Sequence, residues 1–134
     1  IERATSYADV VVGAVLVPGQ RAPIVVTREM VRSMKPRSVI IDVSIDQGGC
    51  VETSRPTTHE HPTFVEEGIL HYCVPNMPGV VARTASRVFF NAAMPYILEV
   101  ANRGIEPVMK EQPAIEGAIN THKGRRLHMS RLGG

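Results

Sequence analysis

Ser38–Cys50, SVIIDVSIDQGGC, passes from an unbroken apolar run into a carboxylate, a glycine pair and a thiol. The run Ser38–Val43 is too short for a helix and rich in branched side chains, as in a strand buried on both faces of a parallel sheet. Working outward, Asp9–Val17 (DVVVGAVLV) and Ile69–Val74 (ILHYCV) read the same way. Between the first two runs, Thr27 offers an N-cap, and Met30, Val31 and Met34 fall on one helix face. Pro36 ends that helix. Ser44 to Pro62 is a long polar loop, and Thr63–Glu67 is expected as a short helix ended by Gly68. After the Pro75–Gly79 turn (PNMPG), helical sequence runs from Thr84 to Asn102, with Pro95 expected to kink or divide it and Gly104 just past its end. A last helix is expected over Glu106–Ile119.

Strand, helix, strand, short helix, strand, long helix is the pattern of βαβ units, so the fold class is α/β with a parallel sheet. Three strands alone would leave two bare edges. The 134 residues begin at Ile1 and soon enter a core-like strand, so further strands are expected upstream. They include no G-x-G-x-x-G fingerprint. What remains reads as the second half of a Rossmann-like dinucleotide-binding sheet with flanking helices, the half that faces the nicotinamide.

Composition narrows the function classes. With 43% hydrophobic and 21% charged residues the chain is not disordered. At this size a domain buries roughly two-thirds of the surface of its unfolded chain. Two cysteines cannot build a disulfide framework, so a reduced, cytoplasmic setting is expected. The apolar run Val10–Val17 is too short to span a bilayer, so no membrane is expected. All 13 acidic residues lie at or before Glu116, whereas Lys123, Arg125, Arg126 and Arg131 follow it. The basic character therefore sits in a tail over 121–134. Without interleaved aromatics that tail reads as solvated terminus, and nucleic acid is not an expected partner.

Ligands of open parallel sheets bind beyond the carboxyl ends of the strands. Here those ends lead into Val17–Gln20, Ser44–Cys50 and Val74–Gly79, which should share one edge. Asp46, just past a buried strand, is either a proton-handling or substrate-orienting carboxylate or an Asx-turn cap. Asp42, inside the strand, reads as structural. Asn76 suits a ligand amide contact or a turn equally well. His59, Glu60, His61, His71 and Cys73 match no zinc spacing. His71 and Cys73 share a strand face and read as packed, and nothing nearby would activate Cys50 as a nucleophile.

Taken in order, Gly13–Pro23 (GAVLVPGQRAP), Met34–Pro36 (MKP), Ile41–Cys50 (IDVSIDQGGC), Arg55–Thr58 (RPTT), His71–Gly79 (HYCVPNMPG) and Asn91–Tyr96 (NAAMPY) resemble alanine dehydrogenase over about residues 7–120. The resemblance implies reversible oxidation of L-alanine by NAD to pyruvate, ammonia and NADH. It implies that Asp46 is catalytic and that NAD is contacted by Val15, Leu16, Val43, Ser44, Ile45, Asp46, Arg55, Val74, Pro75, Asn76 and Met77. Some members hold magnesium through a Glu and a His on the long helix. Glu99 matches the Glu, but Arg103 stands at the His position, so no metal is expected. The family's catalytic His, carboxylate-binding Arg and Lys and phosphate loop have no counterpart here. The resemblance thus divides the chain into the later half of an NAD-binding domain (1–82), helices returning to a catalytic domain (83–120) and the tail. It implies the N-terminal portion and further copies, a hexamer in the family, as partners. The alternatives are a non-catalytic nucleotide-binding or oligomerisation module, and a transhydrogenase-like NAD(H)-binding subunit. Asp46–Gln47 differs from the acidic residue and Asn usual in the latter.

Overall fold

The structure is a computed structural model that describes residues 1–127. Its chain divides into two compact units, Ile1–Met77 and Pro78–Gly134. In the first unit a short helix α1 (Glu2–Thr5) precedes strand β1 (Val10–Gly13), helix α2 (Arg28–Arg32), strand β2 (Val39–Asp42), and strands β3 (Thr63–Glu66) and β4 (Ile69–Tyr72). The sheet order is β1-β2-β4-β3. β1, β2 and β4 run parallel, with Val11 opposite Ile40 and Ile40 opposite His71. The α/β class and the parallel core of the sheet are therefore present, with strands shorter than their apolar runs.

The segment 63–67 is a strand, not the expected helix. Thr63–Glu66 pairs antiparallel with β4, and Glu66 lies opposite Ile69. Glu67 and Gly68 form the two-residue connection, with φ of 53° and 78°. Two consecutive left-handed residues match the twist of a tight hairpin, which a helix-ending Gly68 does not require. Arg28 and Arg32 grip Glu67, and their hydrogen bonds, Arg32's first, hold its carboxyl at about 2. β3 covers the edge of β4 that was expected to be bare, while β1 keeps the other edge among the described residues.

Burial on both faces is also corrected. Val11, Ile40, Ile69 and His71 face a core with Ala22, Val26, Val31, Met34, Cys50 and Val51, built from α2 and the connecting loops. On the opposite face Val10, Val12 and Val65 remain more than half exposed. The strands thus alternate covered and open, as a one-sided sheet does. Helix α2 begins as expected at Thr27, whose hydroxyl accepts from the Met30 N–H, and it ends at Ser33, before Pro36 is reached.

The second unit holds helix α3 (Ala82–Arg103), α4 (Ile105–Glu111), α5 (Pro113–Ala118) and a hairpin of β5 (Thr121–His122) with β6 (Arg125–Arg126). Pro95 lies inside α3 without dividing it. The helix expected over 106–119 is two helices, because Pro113 disfavours helical backbone at Gln112, which is extended at φ −119°, ψ 101°. Gly104 caps α3 at φ 79°. α3 buries no residue, and Val88, Phe89, Phe90, Ile97 and Leu98 are exposed along it. The part of the basic tail over 128–134, with Arg131, lies outside the described residues.

Candidate active site

Three parallel strands deliver three loops to one edge, and hydrogen bonds join those loops. The Val15 N–H donates to Ser44 Oγ at 2.7 Å, linking the loop after β1 to the one after β2. The Asn76 N–H donates to both Asp46 oxygens at 3.1 Å each, linking the loop after β2 to the one after β4. Residues 29 or 30 positions apart are thus fixed together.

The second loop is shaped by Asp42, which is fully buried. Its Oδ1 accepts from the Ser44 N–H at 3.0 Å, and its Oδ2 from the Cys50 and Val51 N–H groups at 2.9 and 3.1 Å. One carboxylate thus satisfies both ends of the turn that carries Asp46. Gly49 at φ 77° brings that turn over Asp42, where a Cβ would stand 3.0 Å from Oδ2. Gly13 gives the room for Cys50, since a Cβ there would lie 2.4 Å from its Sγ. The structural role read for Asp42 is what its contacts give it.

Asp46 sits in a 3-10 turn, Val43–Gln47, and is exposed. Among the described residues each of its oxygens accepts only the shared Asn76 N–H and keeps lone pairs open to the loop edge. Asn76 adopts φ 52°, so its amide turns back to Asp46. Leu16 and Val43 are exposed apolar side chains, and Pro75 and Met77 are half-buried. Ser44, Ile45 and Val74 are buried, leaving their backbone as the part open to a ligand. The edge thus offers backbone groups, apolar side chains and one carboxylate, a set that fits the carboxamide and the flat ring of a nicotinamide. Gln47 Oε1, on the residue after Asp46, is buried without a hydrogen-bond partner among the described residues. Arg55 is exposed on the loop leading to β3, with its guanidinium 4.3 Å from the Phe64 ring centre. Sequence reasoning did not single out Phe64, because only the unexpected strand β3 sets it opposite His71.

The remaining reactive side chains are engaged elsewhere. His71 is fully buried, with Nε2 2.7 Å from Thr53 Oγ1 and Nδ1 2.9 Å from the Ile69 carbonyl. Burial pushes its pKa down. Burial pushes the Cys50 and Cys73 thiols up, away from the thiolate a nucleophile needs. The magnesium position does not fit a metal. Glu99 Oε1 is 2.6 Å from Arg103 Nη1, Glu99 Oε2 accepts from Gln112 Nε2 at 2.9 Å, and Arg103 also reaches Glu111. A guanidinium already neutralises these carboxylates and would repel a second cation.

The comparisons with known proteins agree with this architecture. The family described as alanine dehydrogenase/PNT, C-terminal domain, matches residues 1–129. An alanine dehydrogenase of Halomonas elongata is 47% identical over 125 residues, 93% of this chain and 34% of that protein. A solved L-alanine dehydrogenase superposes with a TM-score of 0.77 at 46% identity, covering 95% of this chain and 35% of its own. A transhydrogenase from Sinorhizobium meliloti gives 0.69 at 28% identity, over 95% and 34%. The chain thus spans about a third of the length of the relatives it matches. It belongs to the alanine dehydrogenase/PNT C-terminal domain family.

Proposed function

We propose that this chain supplies the nicotinamide side of the active site of an NAD-dependent L-alanine dehydrogenase, which interconverts L-alanine with pyruvate and ammonia. The observation that carries the reading is the junction of three loops through Val15–Ser44 and Asn76–Asp46. When bound, NAD supplies the hydride acceptor. Backbone at Val15–Leu16, Val43–Asp46 and Val74–Met77 would seat it, with Leu16 and Val43 excluding water beside the ring. Oxidation of an amine at Cα leaves a cationic iminium, and the Asp46 carboxylate is placed to stabilise that charge as it forms. Asn76 holds the carboxylate in orientation. The remaining active-site groups belong to the rest of the enzyme, against which the exposed apolar residues of α3 pack, and the enzyme is an oligomer that works in the cytoplasm.

In the full-length protein, Asp46→Asn is expected to lower turnover at least a hundred-fold, the scale of a lost transition-state contact, while NADH affinity falls only a few-fold. Steady-state kinetics with fluorescence titration of NADH measures both, and unchanged turnover would remove Asp46 from the mechanism. A transhydrogenase-like NAD(H)-binding role is the second reading. Asp46–Gln47 and the lower identity to the transhydrogenase, 28% against 46%, weigh against it.

A further inference from the structure

Arg55 projects from an exposed loop and has no ion-pair partner among the described residues. An arginine so placed loses rotamer freedom when it binds, a cost that prior ordering removes. Here the guanidinium lies 4.3 Å from the centre of the Phe64 ring. The same ring stacks on the His71 imidazole, with centroids 4.9 Å apart and planes 20° from parallel. His71 is fixed in turn at both nitrogens, by Thr53 and by the Ile69 carbonyl. The column Thr53, His71, Phe64, Arg55 therefore runs from a fully buried imidazole to an exposed cation.

The column stands beside the carboxyl end of β4. Phe64 and His71 are opposite one another in the β3–β4 pair. Thr57, two residues after Arg55, donates its N–H to the Cys73 carbonyl, immediately before Val74–Met77. The phosphates are the only anionic groups NAD offers a guanidinium, and a fixed planar fork suits their oxygens. Resting on the reading of Arg55 as an NAD contact, we propose that Phe64 is a positioning residue, holding the Arg55 guanidinium by a cation–π contact for the phosphates of NAD.

The test is a double-mutant cycle on the full-length dehydrogenase carrying this chain, read by fluorescence titration of NADH. Phe64→Leu should weaken binding about two- to five-fold, the scale of an exposed cation–π contact, with turnover at saturating NAD altered less than two-fold. Phe64→Tyr, which keeps the aromatic face, should restore affinity to near that of the parent. In an Arg55→Ala background Phe64→Leu should have no further effect, since the ring then has nothing to hold. If Phe64→Leu does not fold, Phe64→Met, which keeps volume without a π face, takes its place with the same expectation. If neither folds, NMR of the parent decides by the ring-current shift of the Arg55 side-chain protons. Random-coil shifts there would overturn the proposal. So would a Phe64 effect that persists without Arg55, or Phe64→Leu and Phe64→Met that fold and bind as the parent while Arg55→Ala weakens binding. The last outcome leaves Arg55 as an NAD contact and removes only Phe64. Unchanged binding in Arg55→Ala would instead overturn the reading of Arg55 and the proposal with it.

Discussion

Two aspartates four positions apart sit in opposite surroundings, and on the proposed function they divide shape from chemistry. Asp42 is buried and accepts three backbone N–H groups, whereas Asp46 is exposed and accepts one. Replacing Asp42 by Asn would put an amide donor among N–H donors and remove the charge that strengthens the bonds. Hydrogen bonds to a charged group contribute about 1.5–3 kcal/mol each, part of which an amide oxygen retains. Asp42→Asn is therefore expected to destabilise the fold by about 2 kcal/mol in urea denaturation, and a midpoint within error of the parent would contradict this role. The difference in burial was legible in position alone: one carboxylate lies inside an apolar run, the other just beyond it before Gly48 and Gly49. The Arg55–Phe64 contact was not, because it joins residues through a strand pairing that neither local stretch announces.

At the scale of elements, short apolar runs, rich in Val and Ile for β1 and β2 and carried by Ile69, Leu70 and Tyr72 for β4, marked the three parallel strands. β3 was missed because TFVE owes its conformation to the hairpin, whose turn hinges on Glu67–Gly68 in left-handed backbone. Gly68 at φ 78° has nothing within 4 Å of an added Cβ, so a substitution there meets backbone strain and no clash. Gly68→Val is expected to cost about 1–2 kcal/mol, the penalty of a branched residue in that region. Thermal unfolding measures it, and an unchanged melting temperature would mean that the turn can adopt another geometry. The break between α4 and α5 follows from Pro113, although the apolar spacing continues across it as in a single helix. The open face at Val10, Val12 and Val65 could not be read, because an apolar run looks the same whichever residues cover it.

For the molecule as a whole, the matched third of its relatives' length contains the three-loop edge but no glycine-rich phosphate turn. α3 also carries exposed Val88, Phe89, Phe90, Ile97 and Leu98, an apolar surface of the kind that marks an interaction site. The 134 residues purified alone are therefore expected to form no NADH from L-alanine above background. Absorbance at the NADH band checks this, and turnover at an ordinary enzymatic rate, ~10 per second, would show that these residues suffice.

The β3–β4 turn also sets an order of events during folding. Pairing β1 with β2 brings Val11 to Ile40, and pairing β2 with β4 brings Ile40 to His71, so each closes a long loop. β3 and β4 close over two residues, between Glu66 and Ile69. Short closures are entropically cheap, and hairpins form in about 1–10 µs, well before distant parallel partners meet. The hairpin is thus expected to form first and to offer β4 as a ready-made template on which β2, and then β1, can add.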